Sequence, residues 1–115
     1  MTRVEYAPPF LRRLKNLRKK YPHIRNDLEP VLEQLQQGAT PGDQIQGIGY
    51  PVYKLHLKNT DIPKGKSGGY RVIYYLRTAS VIILITIYAK TEQIDISAGE
   101  IKALIEEYNR LNPPP

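Results

Sequence analysis

At 115 residues the chain is long enough for one domain with a single core of moderate size. It has no cysteine, which excludes disulfides and thiolate-bound zinc or iron–sulfur sites, and His23 and His56 lie too far apart for a local metal motif such as H-E-x-x-H. A metal-independent protein without a cofactor is expected. Seventeen Lys and Arg against eleven Asp and Glu leave a net charge of +6, an excess that favours nucleic acid, the ribosome or an acidic protein as partner; the bland reading of the same surplus is solubility.

In chain order, Val4-Glu5-Tyr6 reads as a short edge strand ended by Pro8-Pro9. Phe10, Leu14, Leu17 and Tyr21, with Leu11 beside them, repeat at helical spacing. The other faces of that helix carry Arg12, Arg13, Lys15, Arg18, Lys19 and Lys20, a wet face or a nucleic-acid contact. Pro22 closes it. Ile24, Leu28, Val31, Leu32 and Leu35 mark a second amphipathic helix running to about Gln37, with Gly38 as its stop. Pro30 costs that helix an internal hydrogen bond, so a kink or a later start near Asp27 is expected.

Residues 38–51, rich in Gly, Pro, Gln and Asp, read as loop. Two antiparallel strands follow over 52–58 and 70–77, and a short turn at Thr78-Ala79-Ser80 leads into a third over 81–90. The third run is apolar on both faces through Ile87, which marks a central strand buried between layers. It is about half the length a bilayer-spanning helix requires, and the amino terminus lacks the apolar stretch of a secretory signal. A soluble, cytoplasmic chain is expected. Ser97 and Glu100 form an S-x-x-E capping box ahead of a last helix, which places Ile101, Leu104, Ile105 and Tyr108 on one face. The order β-α-α-β-β-β-α predicts an α+β fold, a small antiparallel sheet with two N-terminal helices and a C-terminal helix, over residues 1–112. Residues 113–115 are a proline tail.

Between the first two strands of the meander lies Lys64-Gly65-Lys66-Ser67-Gly68-Gly69-Tyr70-Arg71, a cationic, glycine-rich turn that delivers an arginine onto a strand. It is not a phosphate-binding loop of the G-x-x-x-x-G-K-[ST] kind, because a strand and not a helix follows. Strand alternation sends Tyr53, Leu55 and Leu57 toward the core, and Lys54, His56 and Lys58 the other way. On the next strand Tyr70, Val72, Tyr74 and Leu76 suit the core, while Arg71, Ile73, Tyr75 and Arg77 share the opposite face. With the hydrophobic faces matched, Lys54, His56, Arg71, Tyr75, Tyr88 and Lys90 would surround one concave basic surface.

That constellation suits RNA cleavage without metal. Attack of a ribose 2′-hydroxyl on the adjacent phosphate concentrates negative charge on phosphoryl oxygens, which lysine and arginine stabilise most in the transition state. Arg71 is suited to a two-pronged phosphate clamp, His56 to proton transfer near neutrality, and tyrosines to stacking on unpaired bases. The plain reading of a Lys/His/Lys row is a solvated strand face, and that of Tyr53, Tyr70 and Tyr74 is core. Glu92 and Asp95, in a loop ahead of a helix cap, read as structural.

Val52-Tyr53-Lys54-Leu55, Ser67-Gly68-Gly69-Tyr70-Arg71-Val72-Ile73-Tyr74-Tyr75, Ile87-Tyr88-Ala89-Lys90-Thr91-Glu92 and the closing helix from Ser97 together resemble the RelE/HigB toxins of the RelE/ParE toxin–antitoxin superfamily. The resemblance covers nearly the whole chain. It implies a RelE-like domain that cuts messenger RNA in the ribosomal A site without metal, leaving a 2′,3′-cyclic phosphate or its opened form. It also implies a cognate antitoxin that wraps the toxin, with DNA contacted only through that antitoxin. Carried over by position, Lys54 matches a catalytic strand lysine and Arg71 the phosphate-contacting arginine. His56 falls where some members have a second lysine, and Lys90 where others carry a basic residue or histidine. The resemblance departs at Ile96, which stands where some members have a substrate-stacking tyrosine; Tyr75 or Tyr88 would have to substitute. The lengthened turn over 59–66 would reach ribosomal RNA with Lys58, Lys64 and Lys66. The alternative within the superfamily is a ParE-like gyrase inhibitor, or a degenerate toxin that only binds its antitoxin.

Overall fold

The computed structural model describes residues 2–63 and 68–113. Among them run β1 (Arg3–Tyr6), α1 (Pro8–Lys20), α2 (Ile24–Gln36), β2 (Asp43–Gln44), β3 (Val52–Leu57), β4 (Tyr70–Thr78), β5 (Val81–Ala89) and α3 (Ala98–Leu111). The five strands form one mixed sheet in the order β1-β5-β4-β3-β2. This is an α+β fold, and no helix among the described residues is long and apolar enough to cross a membrane.

The prolines that end β1 also open α1. They occupy its first turn, where a missing N–H costs nothing, and the cations Arg18, Lys19 and Lys20 fall in its last turn, where the helix dipole favours them. Phe10, Leu17 and Tyr21 are buried as their spacing predicts, whereas Leu11 is half exposed. In α2 the expected later start near Asp27 is corrected. The helix is continuous from Ile24, with Asp27 already inside it and Pro30 on an exposed face. The carbonyl that loses its partner belongs to the exposed Asn26, where water can replace the missing donor. Gly38, at φ +90°, donates to Leu35 O and stops the helix as expected.

β3, β4 and β5 form the antiparallel meander, but the expected antiparallel sheet is corrected to a mixed one, because β1 adds to β5 in parallel, Arg3 opposite Val81 through Tyr6 opposite Leu84. The stretch read as loop contains one short strand, β2, with Asp43 opposite Lys54 and Gln44 opposite Tyr53. Gly42 makes this pairing possible. Its φ is +96°, and a Cβ there would stand 2.4 Å from Lys54 O.

Two apolar layers use opposite faces of the sheet. Phe10, Ile24, Leu28 and Leu35 of the first two helices cover Tyr70, Val72, Tyr74, Leu84 and Ile87. Ile101, Ile105 and Tyr108 of α3, with Ile48, cover Val52, Ile73, Tyr75, Ile83, Ile85 and Tyr88. β5 is therefore buried on both faces, as its continuous hydrophobicity predicts. Its alternation is not simple. Ile73 lies opposite Thr86 and Tyr74 opposite Leu84, which leaves Ile85 as an extra residue. This bulge reverses the parity of the strand. Ile82 and Leu84 face the first layer, but beyond the bulge it is Ile87 and Ala89 that do so, and Tyr88 turns to the second.

Candidate functional site

The site lies where β3, β4 and β5 end beside the loop of residues 90–97. Pairing sets His56 opposite Arg71 and Arg71 opposite Tyr88, a three-strand row across the sheet. Lys54, two residues back on β3, shares the face of His56. The bulge in β5 is what brings Tyr88 into that row.

Arg71 is only 8% exposed. Its Nη1 donates to Gly68 O at 2.8 Å and to Tyr70 O at 3.2 Å. Both partners are carbonyls, and among the described residues no carboxylate lies within ion-pairing distance of it. A buried guanidinium held by neutral acceptors keeps its full charge and has further donors to offer an oxyanion. Gly69 ahead of it is required by the backbone: at φ +72° it lies so close to β3 that a Cβ would stand 2.4 Å from Leu57 O.

His56 is exposed, yet its pKa lies below the ordinary value of 6.5. Partial desolvation is the main cause, followed by the Arg71 charge, with Lys90 and Lys54 adding to it and Asp43 opposing. At neutral pH the ring is a proton acceptor. Lys54 Nζ donates to Asp95 Oδ1 at 2.8 Å, and Lys90 Nζ to Ile94 O at 3.0 Å, so one loop holds both lysines. Asp95 Oδ1 also accepts from Tyr88 OH at 3.3 Å and from Ile96 N at 2.8 Å. These donors, Lys54 first, hold the Asp95 carboxyl down to about 2, and burial pushes the Tyr88 phenol up to about 12.

Of the remaining expected residues, Lys58 is exposed just past β3, and Lys64 and Lys66 lie outside the described residues. Tyr75 and Tyr88 are corrections. Both belong to the layer under α3, 6% and 1% exposed, so neither ring presents a face to a base. Tyr75 OH accepts from Asn109 Nδ2 at 3.3 Å, and its ring meets that of Tyr50 edge-on. Ile96 joins the same layer. The expected six-residue basic surface therefore reduces to Lys54, His56 and Lys90 around the buried Arg71.

Asp95 is the residue that sequence reasoning missed. From the sequence it reads as structural, and nothing local announces a contact between this loop residue and a lysine of β3. Glu92, by contrast, reaches Lys20 of α1 at 3.6 Å, and Arg13 spans from Ile87 O to Gln93 Oε1. A cleft beside α1 is lined by Arg13, Asn16, Lys20, Glu92 and Gln93. Among the described residues no three His, Asp or Glu side chains gather into a metal-holding group. No protein-family model matches the sequence.

Proposed function

We propose that the chain is a RelE/HigB-type toxin, a metal-independent endoribonuclease that cuts messenger RNA in the ribosomal A site. The observation that carries this reading is the buried Arg71, charged, held by carbonyls alone and flanked in register by His56 and Tyr88. An enzyme that stabilises a pentavalent phosphorane needs such a preorganised cation. In the reaction, neutral His56 takes the proton of the 2′-hydroxyl as O2′ attacks phosphorus. Arg71 receives the charge on the phosphoryl oxygens. The P–O5′ bond breaks, and a lysine ammonium, Lys54 or Lys90, protonates the departing 5′-oxygen, leaving a 2′,3′-cyclic phosphate. The partners on this reading are the ribosome, its messenger and a cognate antitoxin, all in the cytoplasm.

Arg71→Ala is expected to fold and to lose on the order of 10²–10³ in cleavage rate. Arg71→Lys retains the charge but not the fork, and should recover only part of that loss. Primer extension on a defined messenger in reconstituted translation reads both, with thermal melts as the folding control. Cuts at A-site codons that need ribosomes and Arg71 support the assignment; wild-type rates in Arg71→Ala would sink it. A second reading, a ParE-like gyrase inhibitor or a degenerate toxin, draws on the Lys54–Asp95 pair and on the burial of both candidate stacking rings. Folded wild-type protein that leaves every messenger intact would favour it.

A further inference from the structure

Three donors from three separate places converge on one oxygen: Lys54 Nζ from β3, Tyr88 OH from β5 and the Ile96 amide from the loop all point at Asp95 Oδ1. A strand ammonium, a phenol and a backbone N–H arranged in this way form a cradle for an anionic oxygen. The Asp95 side chain nevertheless remains 61% exposed, while that of Lys54 is 29% exposed. The carboxylate can therefore leave the cradle without opening the core beneath it, and the Gln93 Nε2 bond to Asp95 O at 2.9 Å would hold the loop backbone as it does so.

We propose that the Asp95 carboxylate is an internal occupant of the anion site, standing where a phosphodiester oxygen of bound single-stranded RNA sits, and that RNA must displace it. The inference rests on the ribonuclease reading for the choice of RNA as ligand, and it assigns Asp95 a gating role which that reading does not contain. Asp95 is ionised at any working pH, so the competition is always present. A solvent-exposed ion pair is worth little, so a strand carrying several phosphates can win Lys54 from it. A single free phosphate, or one contact off the ribosome, competes less well. The device weakens casual RNA binding and preserves the engaged state.

The test is fluorescence anisotropy with a 2′-O-methyl single-stranded RNA, which binds but cannot be cut, over a range of salt. Asp95→Asn retains an oxygen for Tyr88 and Ile96 but removes the charge. It should tighten binding by about two- to fivefold at low salt, with the slope of log K on log salt unchanged, because RNA meets Lys54 in the bound state of both proteins. In a Lys54→Met background the gain should shrink, because the contested cation is gone. Equal gains in both backgrounds would reflect bulk charge alone and overturn the proposal, as would unchanged affinity or no RNA binding by either protein. Ribosomal cleavage by wild type is measured in parallel. Cleavage without an Asp95→Asn effect rejects the gate and spares the nuclease. A Lys54-dependent gain without cleavage supports the gate and rejects the nuclease.

Discussion

His23 is drawn toward its charged form by Asp61, whose Oδ1 lies 2.6 Å from Nδ1, while His56 is pushed toward its neutral form by desolvation and by the Arg71 charge. Linkage then gives the two residues opposite effects on stability. The folded pKa of His23 lies above the unfolded value of 6.5, so its contribution is fully present below that value and fades as pH rises through the folded pKa. The folded pKa of His56 lies below 6.5, so the folded chain refuses a proton that the unfolded chain accepts. That penalty is complete below the folded pKa and vanishes above about 6.5. His23→Gln should thus cost more stability near about pH 5.5 than near about pH 8, and His56→Gln should gain stability near the lower pH only. Urea midpoints at the two pH values measure both, and parallel shifts of the same sign would contradict the assigned causes. The proton-accepting role proposed for His56 predicts in addition that the pH–rate profile of the proposed cleavage loses its acidic limb in His56→Gln.

At the scale of elements, the turn into β4 depends on Gly69. Its φ of +72° and the 2.4 Å approach of a Cβ to Leu57 O leave no room for a side chain, and its own carbonyl accepts from Lys90 N at 2.9 Å. Gly69→Ala should destabilise the fold by on the order of 1–3 kcal/mol. On the proposed nuclease reading it should also lower cleavage beyond what stability explains, because the neighbouring Gly68 O holds Arg71. A urea titration beside a rate measured well below the melting range separates the two effects. The elements themselves were legible because their periods are strong: every helix and the meander follow from spacing, and β5 from its two-faced apolarity. What was not legible required knowledge of partners. β2 is two residues long and exists only because Gly42 lets the chain touch β3 at Lys54. The bulge at Ile85 leaves no mark in a run of Ile, Leu and Val, yet it decides that Tyr88 faces Arg71. The face carrying Arg71 and Tyr75 was read as open because alternation separates two faces without saying what covers the second. In the molecule α3 covers part of it, which buries the rings of Tyr75 and Tyr88. Asp95 escaped because its meaning lies in a contact with a residue 41 positions away.

For the whole molecule, the decisive feature is that β4 and β5 send alternate side chains into both apolar layers. Tyr74 and Leu84 pack under α1 and α2, and Ile73 and Ile83 under α3. Neither layer can lose its helices without exposing strands on which the other is built, so the two should unfold as one cooperative unit. Ile24 and Ile105 are fully buried, one in each layer. Truncating either to alanine should cost about 2–5 kcal/mol, a large part of the roughly 5–15 kcal/mol available to a domain of this kind. Native-state hydrogen exchange distinguishes cooperative from layered unfolding. In Ile105→Ala, the slowest amides of α2, on the far side of the sheet from the substitution, should exchange faster by the same factor as those of α3. Acceleration confined to α3 would mean that its layer opens alone. The loop that holds Lys54 and Lys90 would then be released whenever α3 detaches, and the site would belong to the less stable half of the molecule.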